Sequence, residues 1–323
     1  MSKEIAIVIG YNAAGKSTLV REFEQDGYHR INRDLTGGTI EAQVELARKA
    51  LTTHDRVVLD NTYPTIESRE SIVALGQQMG IPVRCVWLTT SFEDAQLNAC
   101  LRMMEQRDQL LMPEDFKKEK SPNLFPPVAL FTYKNKFENK KGEQKHPGKQ
   151  DPKKEHGFFV VEKRPFVRQW PAEFCNKALL LDYDDTLRRS KGDKNWPEKP
   201  EDVEILPNRK EVLDEYVANG WRLLGVSNQS AIAKGLKRED AVACFERTNE
   251  LLGHDIEYMF CPHQVPPVNC YCRKPHPGMG AHFIWKYKLL PSACIMVGDQ
   301  TSDKTFASRC GFVYKEAEEF FAL

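Results

Sequence analysis

The chain has 323 residues, room for two hydrophobic cores, and its 46 basic residues balance 46 acidic ones to a formal net charge of zero. That balance excludes a globally basic nucleic-acid binder, so any contact with phosphate backbones has to come from a local patch. No apolar run approaches the ~18 residues of a membrane span. Nine cysteines, an odd number, fit reduced thiols and metal ligands better than a disulfide framework.

Met1-Ser2-Lys3 leads directly into a strand pattern and reads as neither a signal nor a transit peptide, so the expectation is a soluble intracellular protein, cytoplasmic, or nuclear if eukaryotic. Ile5 to Ile9, Arg56 to Leu59 and Pro82 to Leu88 read as strands, with helical patterns between them, which predicts βαβ units on a parallel sheet. Residues 106–138 are mostly polar and aromatic, punctuated by Pro122 and Pro126-Pro127. Residues 139–156 hold almost nothing apolar and read as a flexible basic insert. Apolar character returns at Gly157 to Val161. A second domain begins near Trp170, and its strands Ala178 to Leu181, Arg222 to Val226 and Cys294 to Gly298 each precede a polar motif, as active-site loops of open α/β sheets do.

Gly10-Tyr11-Asn12-Ala13-Ala14-Gly15-Lys16-Ser17-Thr18 follows the first strand and opens a helix over Ser17 to Phe23. Such a turn wraps backbone N–H groups around phosphate oxygens, and the helix N-terminus adds positive potential. Gly10, Asn12, Gly15, Lys16, Ser17 and Thr18 are the candidate ATP-binding residues, with Lys16 reaching the β- and γ-phosphates and Ser17 holding Mg²⁺. Asp34 ends the next strand segment Ile31-Asn32-Arg33-Asp34 and is placed to serve as general base toward an acceptor hydroxyl. Asp60 follows the strand Val57 to Leu59, and Arg102 and Arg107 are candidates to clamp the migrating phosphoryl group or simply to lie on a solvated helix face.

These segments, with Asp60-Asn61-Thr62-Tyr63-Pro64 and Phe131-Thr132-Tyr133-Lys134-Asn135-Lys136-Phe137-Glu138, resemble the polynucleotide 5′-hydroxyl kinase domain over roughly residues 4–165. The resemblance implies that Asp34 activates the 5′-OH, that Arg102 is the lid arginine, and that Asp60 supports the acceptor side or the metal.

In the C-terminal half, Asp182-Tyr183-Asp184-Asp185-Thr186, Ser227, Lys274, Asp299 and Asp303 follow strands in order. Two aspartates two residues apart divide the work on one phosphate. Asp182 attacks phosphorus, while Asp184 protonates the leaving oxygen and later activates water. Mg²⁺ bound at Asp182, Asp184, Asp299 and Asp303 offsets the repulsion between carboxylate and phosphate, and Ser227 and Lys274 bind the transferring group. The set is similar to the haloacid-dehalogenase superfamily, and Val226 to Gly235 is close to its histidinol phosphatase, heptose bisphosphate phosphatase and polynucleotide 3′-phosphatase branch. Asp185 departs from that branch, where glycine is usual.

Cys261, His263, Cys270 and Cys272 fall within twelve residues and predict a closed structural Zn²⁺ site on the loop before Lys274. Lys117-Lys118-Glu119-Lys120 and the run from Lys140 to Lys154 either track a phosphate backbone or are solvated loops; Tyr133 and Phe137 either stack on a strand end or belong to the core.

The expected fold is α/β with two doubly wound parallel-sheet domains: a P-loop kinase domain over 1–165 with the insert at 139–156, then a Rossmannoid haloacid-dehalogenase-like domain over 166–323. The expected activity is end healing of DNA or RNA, adding phosphate to 5′-hydroxyl ends with ATP and removing it from 3′-phosphate ends for a downstream ligase. The alternative is a small-molecule kinase fused to a sugar- or histidinol-phosphate-type phosphatase.

Overall fold

The computed structural model describes residues 3–266 and 269–322; Pro267 and Val268, which fall between His263 and Cys270 in the sequence, lie outside the described residues, as do Met1, Ser2 and Leu323. The residues fall into two compact units, Met1–Ala99 with Lys120–Arg168, and Cys100–Glu119 with Gln169–Leu323.

The first unit contains β1 (Glu4–Ile9), α1 (Lys16–Gln25), β2 (His29–Asn32), α2 (Arg33–Thr36), α3 (Ile40–Ala50), β3 (Arg56–Asp60), α4 (Glu67–Met79), β4 (Val83–Leu88), the start of α5 (Phe92–Arg107), α6 (Pro127–Glu138) and β5 (Val160–Arg164). Its strands pair in the order β2-β3-β1-β4-β5, all parallel. Every β1 residue after Glu4 is buried, the signature of a strand covered on both faces. The three strands read from the sequence match β1, β3 and β4 to within a residue at each end. Helix α6 escaped that reading because its apolar face is short: it buries Leu130, Tyr133 and Phe137. The Tyr133 and Phe137 rings stack at 5.8 Å, and Trp87 lies 5.8 Å from Phe137, so both aromatic residues are core.

Residues 139–156 form no strand and one short 3₁₀ turn, Lys154–His156, but they are anchored. Gln150 is fully buried; its Oε1 accepts from Ile66 N at 3.1 Å and its carbonyl from the Arg69 guanidinium at 2.5 Å. The lysines there sit beside carboxylates, Lys140 at 3.0 Å from Glu138, Lys145 at 3.5 Å from Glu70 and Lys153 at 3.2 Å from Glu155. The segment's positive charge is largely compensated locally, which favours the solvated-loop reading.

The second unit contains β6 (Ala178–Leu181), β7 (Arg188–Ser190), β8 (Val203–Ile205), α7 (Arg209–Ala218), β9 (Arg222–Asn228), α8 (Arg238–Leu252), β10 (Glu257–Cys261), α9 (Gly278–Tyr287), β11 (Ile295–Gly298), α10 (Thr301–Cys310), β12 (Val313–Glu316) and α11 (Ala317–Phe320). A second five-stranded parallel sheet runs β10-β9-β6-β11-β12, and β7 and β8 make a separate antiparallel pair. In each unit the first strand lies at the centre, with later strands added on both sides. The loop after that strand therefore opens into the crevice where strand order reverses, the usual ligand position in such sheets.

Candidate active sites

In the first unit, Gly10 to Ser17 turns from β1 into α1. Gly15 caps the helix at φ 95°, in the left-handed region where glycine carries no Cβ penalty. Ala13 is also left-handed, at φ 59°, although it has a Cβ. Lys16 folds back over the turn and donates from Nζ to the carbonyls of Gly10 (3.1 Å) and Tyr11 (2.7 Å), while Ser17 and Thr18 face solvent. Asn12 is half-buried.

Asp60 ends β3 and is almost fully buried. Its Oδ2 accepts from Arg30 at 2.5 Å and from Asn32 Nδ2 at 2.7 Å. Asn32 in turn caps α2, its Oδ1 accepting from the backbone N–H of Asp34 (2.7 Å) and Leu35 (3.3 Å). Asp60 thus fixes the turn that carries Asp34, whose own side chain is exposed. Arg102 is half-buried and lies in the stretch that groups with the second unit; desolvation lowers its pKa, with Glu105 opposing. Arg107 is held by both Glu119 oxygens at 2.9 and 3.1 Å, a surface pair.

In the second unit, Asp182 follows β6, Ser227 lies on β9, and Asp299 and Asp303 bracket the start of α10. Lys274 Nζ is buried and meets three acceptors: Asp182 Oδ1 at 2.8 Å, Asp303 Oδ1 at 2.7 Å and the Val226 carbonyl at 2.9 Å. Burial pulls the Lys274 pKa down, but the two carboxylates outweigh it and the net direction is up. Burial pushes Asp182 up to about 7; Lys274 pulls against that shift and Asp303 adds to it. Asp299 is raised by burial and by Asp303. Two buried carboxylates facing one ammonium leave surplus negative charge, which a cation would relieve. Oxygens of Asp182, Asp299 and Asp303 lie within 4.8 Å of one another, so the residues present fit a hard divalent ion.

Asp184 is gripped at both oxygens. Arg188 Nε donates to Oδ1 at 2.9 Å and Gln229 Nε2 to Oδ2 at 2.7 Å, and Gln229 also reaches Ser227 Oγ at 2.9 Å. The Arg188 guanidinium, 1% exposed, also donates to Thr248 Oγ1 at 2.9 Å and lies over the Phe245 ring at 4.7 Å. Asp185 stands in the left-handed region at φ 59°, and burial and Asp184 raise its pKa. Asp184, Asp185, Ser227 and Gln229 line a cavity of about 250 Å³ together with Arg273 and Trp196. A larger cleft, about 890 Å³, opens around Lys177, Trp221, Arg222 and Tyr287 at the other end of the same sheet, but no phosphatase residue lines it. Volume alone does not locate the chemistry. Sequence reading missed Arg188 and Trp196, since an arginine in a short edge strand and a loop tryptophan carry no pattern.

The Cys/His cluster is assembled. Cys261 Sγ lies 3.6 Å from Cys270 Sγ and 3.5 Å from His263 Nδ1, which is 3.3 Å from Cys272 Sγ. A tetrahedral ion with bonds of ~2.3 Å to sulfur and ~2.0 Å to nitrogen requires ligand separations of about 3.5–3.8 Å. Two of the spacings fall in that range and the third, 3.3 Å, lies just below it. Arg273 NH1 donates to the His263 carbonyl at 3.2 Å, tying the cluster to the residue before Lys274.

Residues 5–114 match the family described as AAA domain, and residues 271–313 match the HAD-hydrolase-like family. A bifunctional polynucleotide phosphatase/kinase of Schizosaccharomyces pombe is 31% identical over 185 residues, 57% of this chain and 36% of that protein; the match spans about a third of that relative's length. A probable D-glycero-D-manno-heptose-1,7-bisphosphate 7-phosphatase of Thermoplasma volcanium is 32% identical over 141 residues, 41% of this chain and 92% of that protein. Among solved structures, a chain of a Pnkp1/Rnl/Hen1 RNA repair complex aligns over 98% of this chain and 96% of its own, with 14% identity and a TM-score of 0.33. The chain joins a P-loop kinase domain to a phosphatase domain, and through the latter it belongs to the HAD-like phosphatases.

Proposed function

We propose that this chain heals nucleic-acid ends, phosphorylating 5′-hydroxyl termini with ATP and hydrolysing 3′-phosphate termini. The observation that carries the proposal is the pairing of two phosphate-handling sites on one chain, each at the crevice after a central strand, in a sequence similar to a bifunctional polynucleotide phosphatase/kinase. The products, a 5′-phosphate and a 3′-hydroxyl, are the ends a ligase consumes.

In the kinase reaction the loop binds the ATP phosphates through its backbone N–H groups, and Lys16 exchanges the carbonyls of Gly10 and Tyr11 for phosphate oxygens. Ser17 would hold Mg²⁺. Asp34 accepts the proton of the attacking 5′-hydroxyl. In the phosphatase reaction a carboxylate oxygen of Asp182 attacks phosphorus while the ester bond to the 3′-oxygen breaks, and Asp184 gives that oxygen a proton. Asp184 then takes a proton from water, which attacks the aspartyl-phosphate and releases inorganic phosphate and free Asp182. Ser227 and Lys274 hold the phosphate oxygens, and Asp303 keeps Lys274 in place. Mg²⁺ would be held by Asp182, Asp299 and Asp303 and would neutralise the charge that gathers between carboxylate and phosphate. Zn²⁺ at Cys261, His263, Cys270 and Cys272 is a staple with no open position for substrate.

The likeness to heptose bisphosphate phosphatases favours a second reading, a small-molecule phosphomonoester as substrate. An oligonucleotide with a 5′-hydroxyl and a 3′-phosphate, incubated with Mg²⁺ and labelled ATP beside a sugar bisphosphate, separates the two. Gain of the 5′ label and loss of the 3′ phosphate supports end healing. Turnover of the sugar phosphate with both oligonucleotide ends untouched removes it.

A further inference from the structure

One of the left-handed residues of the phosphate loop is an alanine, held by side chains from outside the loop. Ala13 sits at φ 59° and is nearly buried, so its Cβ opposes the backbone conformation the loop needs. Asn98, in α5, donates from Nδ2 to the Ala13 carbonyl at 2.8 Å. Arg168, after β5, donates from NH1 to Asn98 Oδ1 at 2.6 Å and from NH2 to Asp94 Oδ1 at 3.2 Å, and its guanidinium lies 5.1 Å over the Phe166 ring. The orientation of the Asn98 amide follows from its partners: turned over, it would set carbonyl against carbonyl and amide against guanidinium. Thr90, buried before α5, donates to the next carbonyl, that of Ala14, at 2.9 Å. Two successive loop carbonyls are therefore taken from behind. Because the trans peptide is planar, holding the Ala14 carbonyl outward aims the Gly15 N–H the opposite way.

We propose that Asn98, braced by Arg168, is a positioning residue that keeps Ala13 left-handed and so preorganises the loop for the nucleotide phosphates. A glycine at this position would adopt the conformation unaided, whereas an alanine needs the tether. The proposal rests on the kinase reading only for the identity of the ligand.

The test uses five full-length proteins: the parent, Asn98→Leu, Ala13→Gly, the double variant of these two, and Arg168→Leu. Mg-ATP affinity is measured by calorimetry and melting is followed for each. Asn98→Leu is expected to weaken Mg-ATP binding roughly tenfold, the scale set by a non-glycine residue in the left-handed region. Adding Ala13→Gly to Asn98→Leu should recover most of that loss. Arg168→Leu should weaken binding in the same direction by a smaller factor. Unchanged affinity in folded Asn98→Leu overturns the proposal, as does a double variant that melts like Asn98→Leu and binds no better. If the parent binds Mg-ATP but labels no oligonucleotide, the end-healing reading falls while the affinities still decide the tether. If the parent binds no nucleotide, the kinase reading falls. The melting cycle then decides: Ala13→Gly must stabilise the Asn98→Leu protein more than the parent, and equal effects overturn the tether.

Discussion

Arg188 brings a full positive charge into the interior, and the carboxylate it pairs with is the one assigned to proton transfer. With one Asp184 oxygen on Arg188 and the other on Gln229, the carboxyl plane is fixed before substrate arrives. Arg188→Gln is expected to lower phosphatase kcat by about 10–100-fold with little change in KM, since misplacing a proton donor affects the transition state more than binding. A raised KM at unchanged kcat would contradict this role. His276 gives a pH-dependent expectation. Burial, followed by the nearby Arg309, pushes it down to about 4, with Cys270 opposing, so the folded protein prefers the neutral ring. A depressed folded pKa stabilises fully above the free value of about 6.5 and loses that contribution as pH falls toward about 4. Melting temperatures of the parent and His276→Gln should therefore converge between about pH 6.5 and 4, on the order of 2–3 kcal/mol being lost from the parent. A constant gap would refute the assignment.

Among elements, β11 shows how closely backbone and catalytic side chain can pack. A Cβ on Gly298 would meet Asp303 Cβ at 2.5 Å and Cγ at 2.6 Å, so only glycine lets α10 bring Asp303 onto Lys274. Gly298→Ala is expected to lower phosphatase activity by at least tenfold and to cost roughly 1–3 kcal/mol of stability, with Mg-ATP affinity unchanged. The Cys/His loop precedes the same lysine. Removing its ion with a strong chelator, then restoring Mg²⁺, should lower the melting temperature and phosphatase activity together; an unchanged melt with no zinc by elemental analysis would rule out the staple. Most of the motifs were legible because they lie within a few residues of a strand end, where sequence order and spatial order coincide, although Lys274 stands well past the end of β10. Asp182 with Asp184, and Lys16 with Ser17, are of that kind. Asn98 reaches Ala13 across 85 positions and Arg188 reaches Thr248 across 60, and such pairings leave no periodic trace. Gln150 escaped notice for another reason: a buried polar anchor looks like any loop glutamine until its partners are seen.

For the molecule as a whole, two catalytic sets on separate units predict separable losses. Lys16→Ala should abolish phosphorylation and leave hydrolysis intact, and Asp182→Asn should do the reverse, each by at least about 100-fold. Loss of both activities from either change in a folded protein would mean the sites depend on each other. No helix among the described residues is long and apolar enough to cross a membrane.

The placement of each unit's first strand at the centre of its sheet also sets a timetable on the ribosome. The strand before the phosphate loop has both neighbours once Leu88 has emerged. The strand before Asp182 must wait for Ile295 and beyond, and Asp299 and Asp303 come later still. A nascent chain can thus frame its nucleotide loop long before it can build a hydrolytic centre. Synthesis interrupted after Arg168 would leave a chain with its phosphate loop framed and the residues of the second centre missing.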